Sequence, residues 1–295
     1  GFSAADSQGQ WTGLDVEFCR ALAAVTLKDA SKVKFVPLNS QQRFASLQAG
    51  EIDVLSRNST WTLTRDASLG VTFTGINYYD GQGFMVPKKL KIDSTKRLNG
   101  ATVCVQAGTT SEKNVADYFK ANGMSYKPVV FDTAEAITSA FFAGRCQVYT
   151  TDMSDLAGAR TKAPKPGDFV VLPQVISKEP LGPSVRRGDD EWFEIVRWTL
   201  FAMLEAEEAG LTQANVDAQK ATSKDPNVQR LLGVSEDTGK LLGLDAEWAY
   251  RIVKQVGNYG ESFERNLGPA TPIGLPRGVN NLWTKGGLMY APPVR

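Results

Sequence analysis

The sequence predicts an α/β protein of two lobes, and three observations carry that reading. Residues 101–150 run strand, helix, strand, helix, strand, with a glycine or hydroxyl residue at most of the changes. Residues 14–55 repeat most of that order as helix, strand, helix, strand. Segments at Gly81–Pro87 and Ser177–Pro183, broken by glycine and proline, read as two strands crossing between separate bodies. A chain of 295 residues is long enough for two such lobes, each with its own core. The crossings assign residues 1–85 and 181–295 to the first lobe and 86–180 to the second.

In chain order, residues 1–10 read as a polar loop. Leu14, Phe18, Leu22 and Val25 recur at helical spacing, with Asp15 near the positive end of that helix. Val33–Pro37 and Ile52–Leu55 are short apolar strands, and Gln41–Ala49 between them is a helix stopped by Gly50. The second lobe has strands at Ala101–Gln106, Tyr126–Phe131 and Cys146–Thr150, whose right-handed winding gives the order 2-1-3. Asp189 or Asp190 caps a long helix with Trp192, Val196, Leu200 and Met203 on its apolar face. Further helices follow, among them Asn227–Leu232 and Ala246–Val256. The Gly- and Pro-rich end reads as a surface tail anchored by Trp283 and Tyr290.

Composition narrows the function classes. Apolar residues make up 42% and charged residues 22%, the balance of a soluble globular chain. A net charge of +1 gives no reason to expect nucleic acid or an anionic membrane as partner. No apolar run is long enough to insert in a membrane, and the first residues carry no signal-peptide pattern. Histidine is absent, which removes the commonest general base and metal ligand. The three cysteines are too dispersed for a zinc site, so no metal and no cofactor is expected.

Open α/β sheets place their ligands beyond the carboxyl ends of their strands. Past Leu55 the chain reads Ser-Arg-Asn-Ser-Thr-Trp-Thr-Leu-Thr-Arg65, five hydroxyls and a terminal guanidinium suited to gripping a carboxylate. Gly108-Thr109-Thr110 opens a helix after the second lobe's first strand and presents its amides to an anion. Asp152 follows the third strand. Read singly, the Thr-rich stretch is also a surface loop, and Gly-Thr-Thr and Asp152 are also helix caps. Together they fit one ligand, with Arg65, Thr60, Thr62, Thr109 and Thr110 toward a carboxylate and Asp152 toward an ammonium: a free α-amino acid. Trp61 and Tyr79 are candidates for the pocket wall, and core positions are open to them as well.

These stretches resemble a known family. Trp11-Thr-Gly-Leu-Asp-Val-Glu-Phe-Cys-Arg20, Asp53 to Arg65, Tyr78-Tyr-Asp-Gly-Gln-Gly-Phe84, Gln106-Ala-Gly-Thr-Thr110, Gly144 to Asp152 and Ile176 to Pro183 are similar to periplasmic amino-acid-binding proteins of ABC importers, general L-amino acid type. The resemblance runs to the end of the chain. It implies a type II periplasmic-binding-protein-like fold with a ligand cleft between lobes, hinge closure, a periplasmic location and a membrane permease as partner. It implies that the matching arginine and Gly-Thr-Thr groups hold the α-carboxylate and the matching aspartate the α-ammonium. Two departures stand out. The Arg65–Phe73 segment is longer than in narrower-specificity relatives, and the family's strand and Cys-Gly-containing segment ahead of Gly1 are missing here.

That strand would be the central strand of the first lobe, flanked by Val33–Pro37 and Ile52–Leu55, and its cysteine the partner of Cys19. Cys104 and Cys146 lie on neighbouring strands of the second lobe; one late and one early in its strand, they leave both a bond and two thiols open. An enzyme on the same fold, such as an arogenate or prephenate dehydratase, would have to work without histidine, and no paired carboxylates stand at a useful spacing. A sensor domain would share the pocket and not the transport role.

Overall fold

The structure, a computed structural model, describes residues 1–295. In chain order its elements are β1 (Ala4–Ala5), β2 (Trp11–Thr12), α1 (Leu14–Thr26), α2 (Arg43–Gln48), α3 (Leu63–Ser68), β3 (Val71–Phe73), β4 (Tyr78–Asp80) and β5 (Gln82–Pro87). Then come β6 (Thr102–Gln106), α4 (Thr110–Ala121), β7 (Lys127–Phe131), α5 (Ala134–Phe142), β8 (Val148–Asp152), α6 (Met153–Thr161), β9 (Phe169–Val171), β10 (Glu179–Leu181) and β11 (Ser184–Arg186). The remainder is helical: α7 (Asp190–Glu208), α8 (Val216–Thr222), α9 (Pro226–Leu231), α10 (Trp248–Gln255) and α11 (Tyr259–Asn266). The chain forms two compact units. Unit 1 is Gly1–Val36, Ile52–Tyr78 and Gly182–Arg295; unit 2 is Pro37–Glu51 and Tyr79–Leu181. Residues 37–51, expected in the first lobe, group with unit 2.

Unit 2 is a doubly wound sheet. Its strand order is β7-β6-β8-β5-β9, with β6 parallel to β7 and β8, and β5 antiparallel to β8 and β9. The expected 2-1-3 order is therefore present as β7-β6-β8, and the two crossing-side segments extend it. The alternation of the strands explains the layers. Phe84, Val86, Val103, Val105 and Val148 face one way onto Val115 and Phe119 of α4. Met85, Cys104 and Tyr149 face the other way onto Ile137 and Phe141 of α5 and Leu156 of α6. Pro87, which has no amide to give, ends its strand.

Unit 1 is held mainly by helices. α1 lies against α10, α7 and α11, and α7 also meets α10 and α11. Apolar spacing alone would set α1 loosely, and a guanidinium fixes its end. Arg251 is 9% exposed and donates to the Ala24 carbonyl at 3.1 Å, where the last turn of α1 has unmet carbonyls. Asp245 pairs with Arg251 at 2.6 Å and with Lys28 at 2.9 Å, and Arg251 first among its partners lowers its pKa to about 2. Farther along, Arg277 grips Glu207 with two bonds of 3.0 and 3.1 Å.

Several expectations for this unit change. Residues 1–12 form a small hairpin, with Ala5 opposite Trp11, and Gly13 at φ 133° turns the chain where a Cβ would strike the Phe2 carbonyl. Val33–Pro37 joins no sheet, and Ile52–Leu55 contributes one bridge, Leu55 to Ser184. An extended segment becomes a strand only where its backbone groups meet a partner, and the expected central strand is not among residues 1–295. Cys19 is a free, half-buried cysteine; burial, with Asp15 nearby, pushes its thiol up to about 12. The tail is anchored by Leu282, Met289 and Ala291, all buried, and by Trp283, whose indole donates to Glu208 of α7 at 3.1 Å; Trp283 and Tyr290 meet edge to face and remain 51% and 62% exposed.

Cys104 and Cys146 are bonded, with Cα atoms 5.7 Å apart. Strand register alone would set Cys146 opposite Ala101, since Val148 pairs with Val103; Cys146 lies outside β8, in the turn after α5, and is not held to that register. The bridge closes a sequence separation of 42 residues. Loop-closure entropy for that length stabilises the fold by about 4 kcal/mol. Thiol titration of the denatured, unreduced protein should therefore find one free thiol, and reduction should lower the unfolding free energy by roughly 2–4 kcal/mol; three thiols would exclude the bond.

Candidate functional site

In unit 1 the stretch after Leu55 is built around Asp15, a carboxylate only 2% exposed on the first turn of α1. It accepts the Asn58 amide at 2.6 Å, the Ser56 hydroxyl at 3.1 Å and the Asn77 side-chain amide at 2.9 Å. Burial still raises its pKa, against those three bonds. The Ser59 carbonyl accepts the Gly182 amide at 3.1 Å. Thr62 is the N-cap of α3, its hydroxyl accepting the Arg65 amide at 3.2 Å, so the expected loop ends in a helical turn that carries the arginine. Arg65 is 8% exposed and its Nη1 donates to the Thr60 carbonyl at 2.9 Å. Thr60 is buried, and Trp61 stacks on Phe73 with ring centres 5.6 Å apart.

Unit 2 gathers its own polar groups at the ends of β6 and β8. Gly108 takes φ 72°, and a Cβ there would come within 2.9 Å of Gln41. Its amide donates to the Glu112 carboxylate at 3.0 Å. Thr109 caps α4, accepting the Glu112 amide at 3.2 Å and donating to the Gln106 carbonyl at 2.7 Å. Thr110 donates its hydroxyl to Glu179 at 2.8 Å. The Thr109 hydroxyl thus shapes the helix start, and the Thr110 hydroxyl ties it to β10.

Asp152 sits at the N-cap position of α6 yet makes no side-chain cap bond, which sets aside the simplest structural reason for it. It is 6% exposed. Burial, then the carboxylates of Asp80, Asp155 and Glu179, push its pKa well above the usual range, while Arg43 pulls the other way. Asp80 accepts the Gly81 amide at 2.8 Å and the Ser154 amide at 3.3 Å, and the Ser154 hydroxyl also donates to it. Burial foremost raises Asp80 to about 6. Tyr79, its neighbour in β4, is half-buried, and desolvation raises its hydroxyl.

Sequence reasoning did not single out Glu179, Asp80, Gln82 or Arg43 as site residues. Glu179 is 1% exposed and accepts Thr110, Asn114 at 2.6 Å and Ser177 at 2.6 Å. Gln82, fully buried, donates to the Ser111 carbonyl at 3.0 Å and Thr150 at 2.8 Å, tying α4 to β8. No local pattern marks either one. Asp80 had a signal, a carboxylate ending an extended segment before a glycine. Chemically, a cation would ease this group: Asp152 and Glu179 are buried, Asp80 and Asp155 half-buried, and the like charges act together on Asp152 against Arg43.

Residues 1–214 match the bacterial extracellular solute-binding proteins, family 3, and the chain belongs to that family. Over its whole length it is 56% identical to the putative amino-acid ABC transporter-binding protein YhdW of Escherichia coli, covering 86% of that protein. It is 54% identical, again over its whole length, to the general L-amino acid-binding periplasmic protein AapJ of Rhizobium johnstonii, covering 87%. Among solved structures it is similar to a periplasmic binding protein from Brucella ovis with glutathione bound. That likeness has 54% identity and a TM-score of 0.98, and covers 100% of this chain and 93% of that one. The fold is accordingly of the two-lobed type II kind. No helix is long and apolar enough to cross a membrane.

A carboxyl group whose pKa the fold raises contributes stability below its ordinary value of 3.8 and loses it as pH rises through its folded value, for Asp80 about 6. Asp80→Asn removes the charge and turns one of two accepting oxygens into a donor, a cost that does not depend on pH. In thermal unfolding without ligand the melting temperature of the variant relative to the wild type should therefore rise from pH 4 to pH 7. A gap independent of pH would remove Asp80 as its source.

Proposed function

We propose that this chain is the periplasmic receptor of an ABC importer, taking free L-amino acids of varied side chain and passing them to a membrane permease. The observation that carries the reading is Asp152, a buried carboxylate among Asp80, Asp155 and Glu179 that makes no cap bond. A ligand ammonium supplies the missing cation there. Arg65, held by Thr60 and capped by Thr62, is the group for the α-carboxylate, and Gly108 to Thr110 shape the anion-facing helix start. Trp61 and Tyr79 offer aromatic surface to the side chain. Full-length identity to a general L-amino acid-binding protein supports breadth of ligand. Binding without turnover is supported by the same likeness to solute-binding proteins.

A second ligand reading is glutathione, which is bound to the similar protein from Brucella ovis. Its γ-glutamyl end carries the same free ammonium and carboxylate, so the same groups would take its head.

Mass spectrometry of small molecules released on denaturing the purified protein tests the reading directly. Amino acids or glutathione at near one per chain are expected, and a protein that neither releases nor binds either would refute it. In calorimetry, Arg65→Ala should cost roughly 1.5–3 kcal/mol of binding, the worth of hydrogen bonds to a charged group. Asp152→Asn should weaken L-amino acids far more than analogues lacking the α-amino group. Equal losses for both would take Asp152 out of the ammonium role.

A further inference from the structure

The family match ends at residue 214, yet residues beyond it hold the base of the Arg65 loop. Tyr259, 1% exposed on α11, donates its hydroxyl to the Asn77 carbonyl at 2.6 Å. One turn on, Phe263 stacks on Tyr78, rings 8° from parallel and centres 6.3 Å apart, while Phe2 meets Tyr78 edge-on. Asn77 is 2% exposed and donates its side-chain amide to Asp15, and its Oδ1 has no partner. Asn77 also lines a small cavity with Leu14, Phe18, Leu200, Met203 and Tyr259. Asp15 in turn holds the Asn58 amide and the Ser56 hydroxyl. Asn58 has φ 25°, a conformation a non-glycine residue keeps only when its surroundings impose it.

We propose that Tyr259 and Phe263 are positioning residues for the loop 56–65: they fix Asn77 and Tyr78, Asn77 orients Asp15, and Asp15 fixes the backbone that leads to Thr60 and Arg65. The proposal rests on the reading of that loop as ligand-binding. It gives the C-terminal part of the chain a part in affinity, without contact to the ligand. Tyr259→Phe removes one hydroxyl and little volume, leaving the buried Asn77 carbonyl unpaired. Trp248→Phe is the control, a packing loss in the same C-terminal part, at a residue whose indole donates to Thr238.

Hydrogen exchange on the full ligand-free chain reads the relay. Tyr259→Phe should speed exchange at Asn58 roughly three- to tenfold, as the loss of one hydrogen bond does. It should weaken L-glutamate, L-glutamine and L-alanine by a similar common factor in calorimetry. Trp248→Phe should lower the melting temperature and leave exchange at Asn58 and affinity as in the wild type. Unchanged exchange at Asn58 in Tyr259→Phe, or equal acceleration in Trp248→Phe, would overturn the relay. A wild type that binds none of the three amino acids and no glutathione would refute the function reading instead, and exchange would still decide the relay.

Discussion

A carboxylate taken out of water must be matched by donors or cations, or it gives up its charge. Much of this molecule follows from that constraint, applied in two ways. Asp15 is matched by Asn58, Ser56 and Asn77, and its work is structural: it gathers two chain segments onto the start of α1. Asp152 is matched poorly. Its neighbours Asp80, Asp155 and Glu179 carry the same sign, and Arg43 pulls the other way. The first arrangement is satisfied by donors from its own unit; in the second, burial and like charge push Asp152 toward its neutral form.

Much of unit 2 was legible in the sequence because its signals are local. Val103, Val105 and Val148 set period-two strands, Thr109 and Thr133 cap the helices after them, and Gly144 stops α5, so order and handedness follow. Asp152 was legible for the same reason, standing at the end of a recognisable strand. Glu179 was not, since its partners Thr110 and Asn114 lie 69 and 65 residues away and no spacing rule links them.

Unit 1 was legible in its helices and not in its sheet. Leu14, Phe18, Leu22 and Val25 mark α1 by periodicity alone. Val33–Pro37 and Ile52–Leu55 have strand composition, yet composition cannot supply the neighbour whose amides and carbonyls make a strand. The tail was legible in part, since the Trp283 indole does bond to Glu208. Trp283 and Tyr290 are its largest apolar side chains, but Leu282, Met289 and Ala291 sit on the inward positions of its turn.

The division of the chain also orders its assembly. Unit 2 is complete once residue 181 has emerged, whereas unit 1 draws on residues from both ends. The apolar face of α1 is therefore covered by helices distant in the chain, α7 first and then α10 and α11. The disulfide-bearing body can close on its own run of residues, while the end of α1 depends on Arg251, from the far part of the chain, to meet its carbonyl.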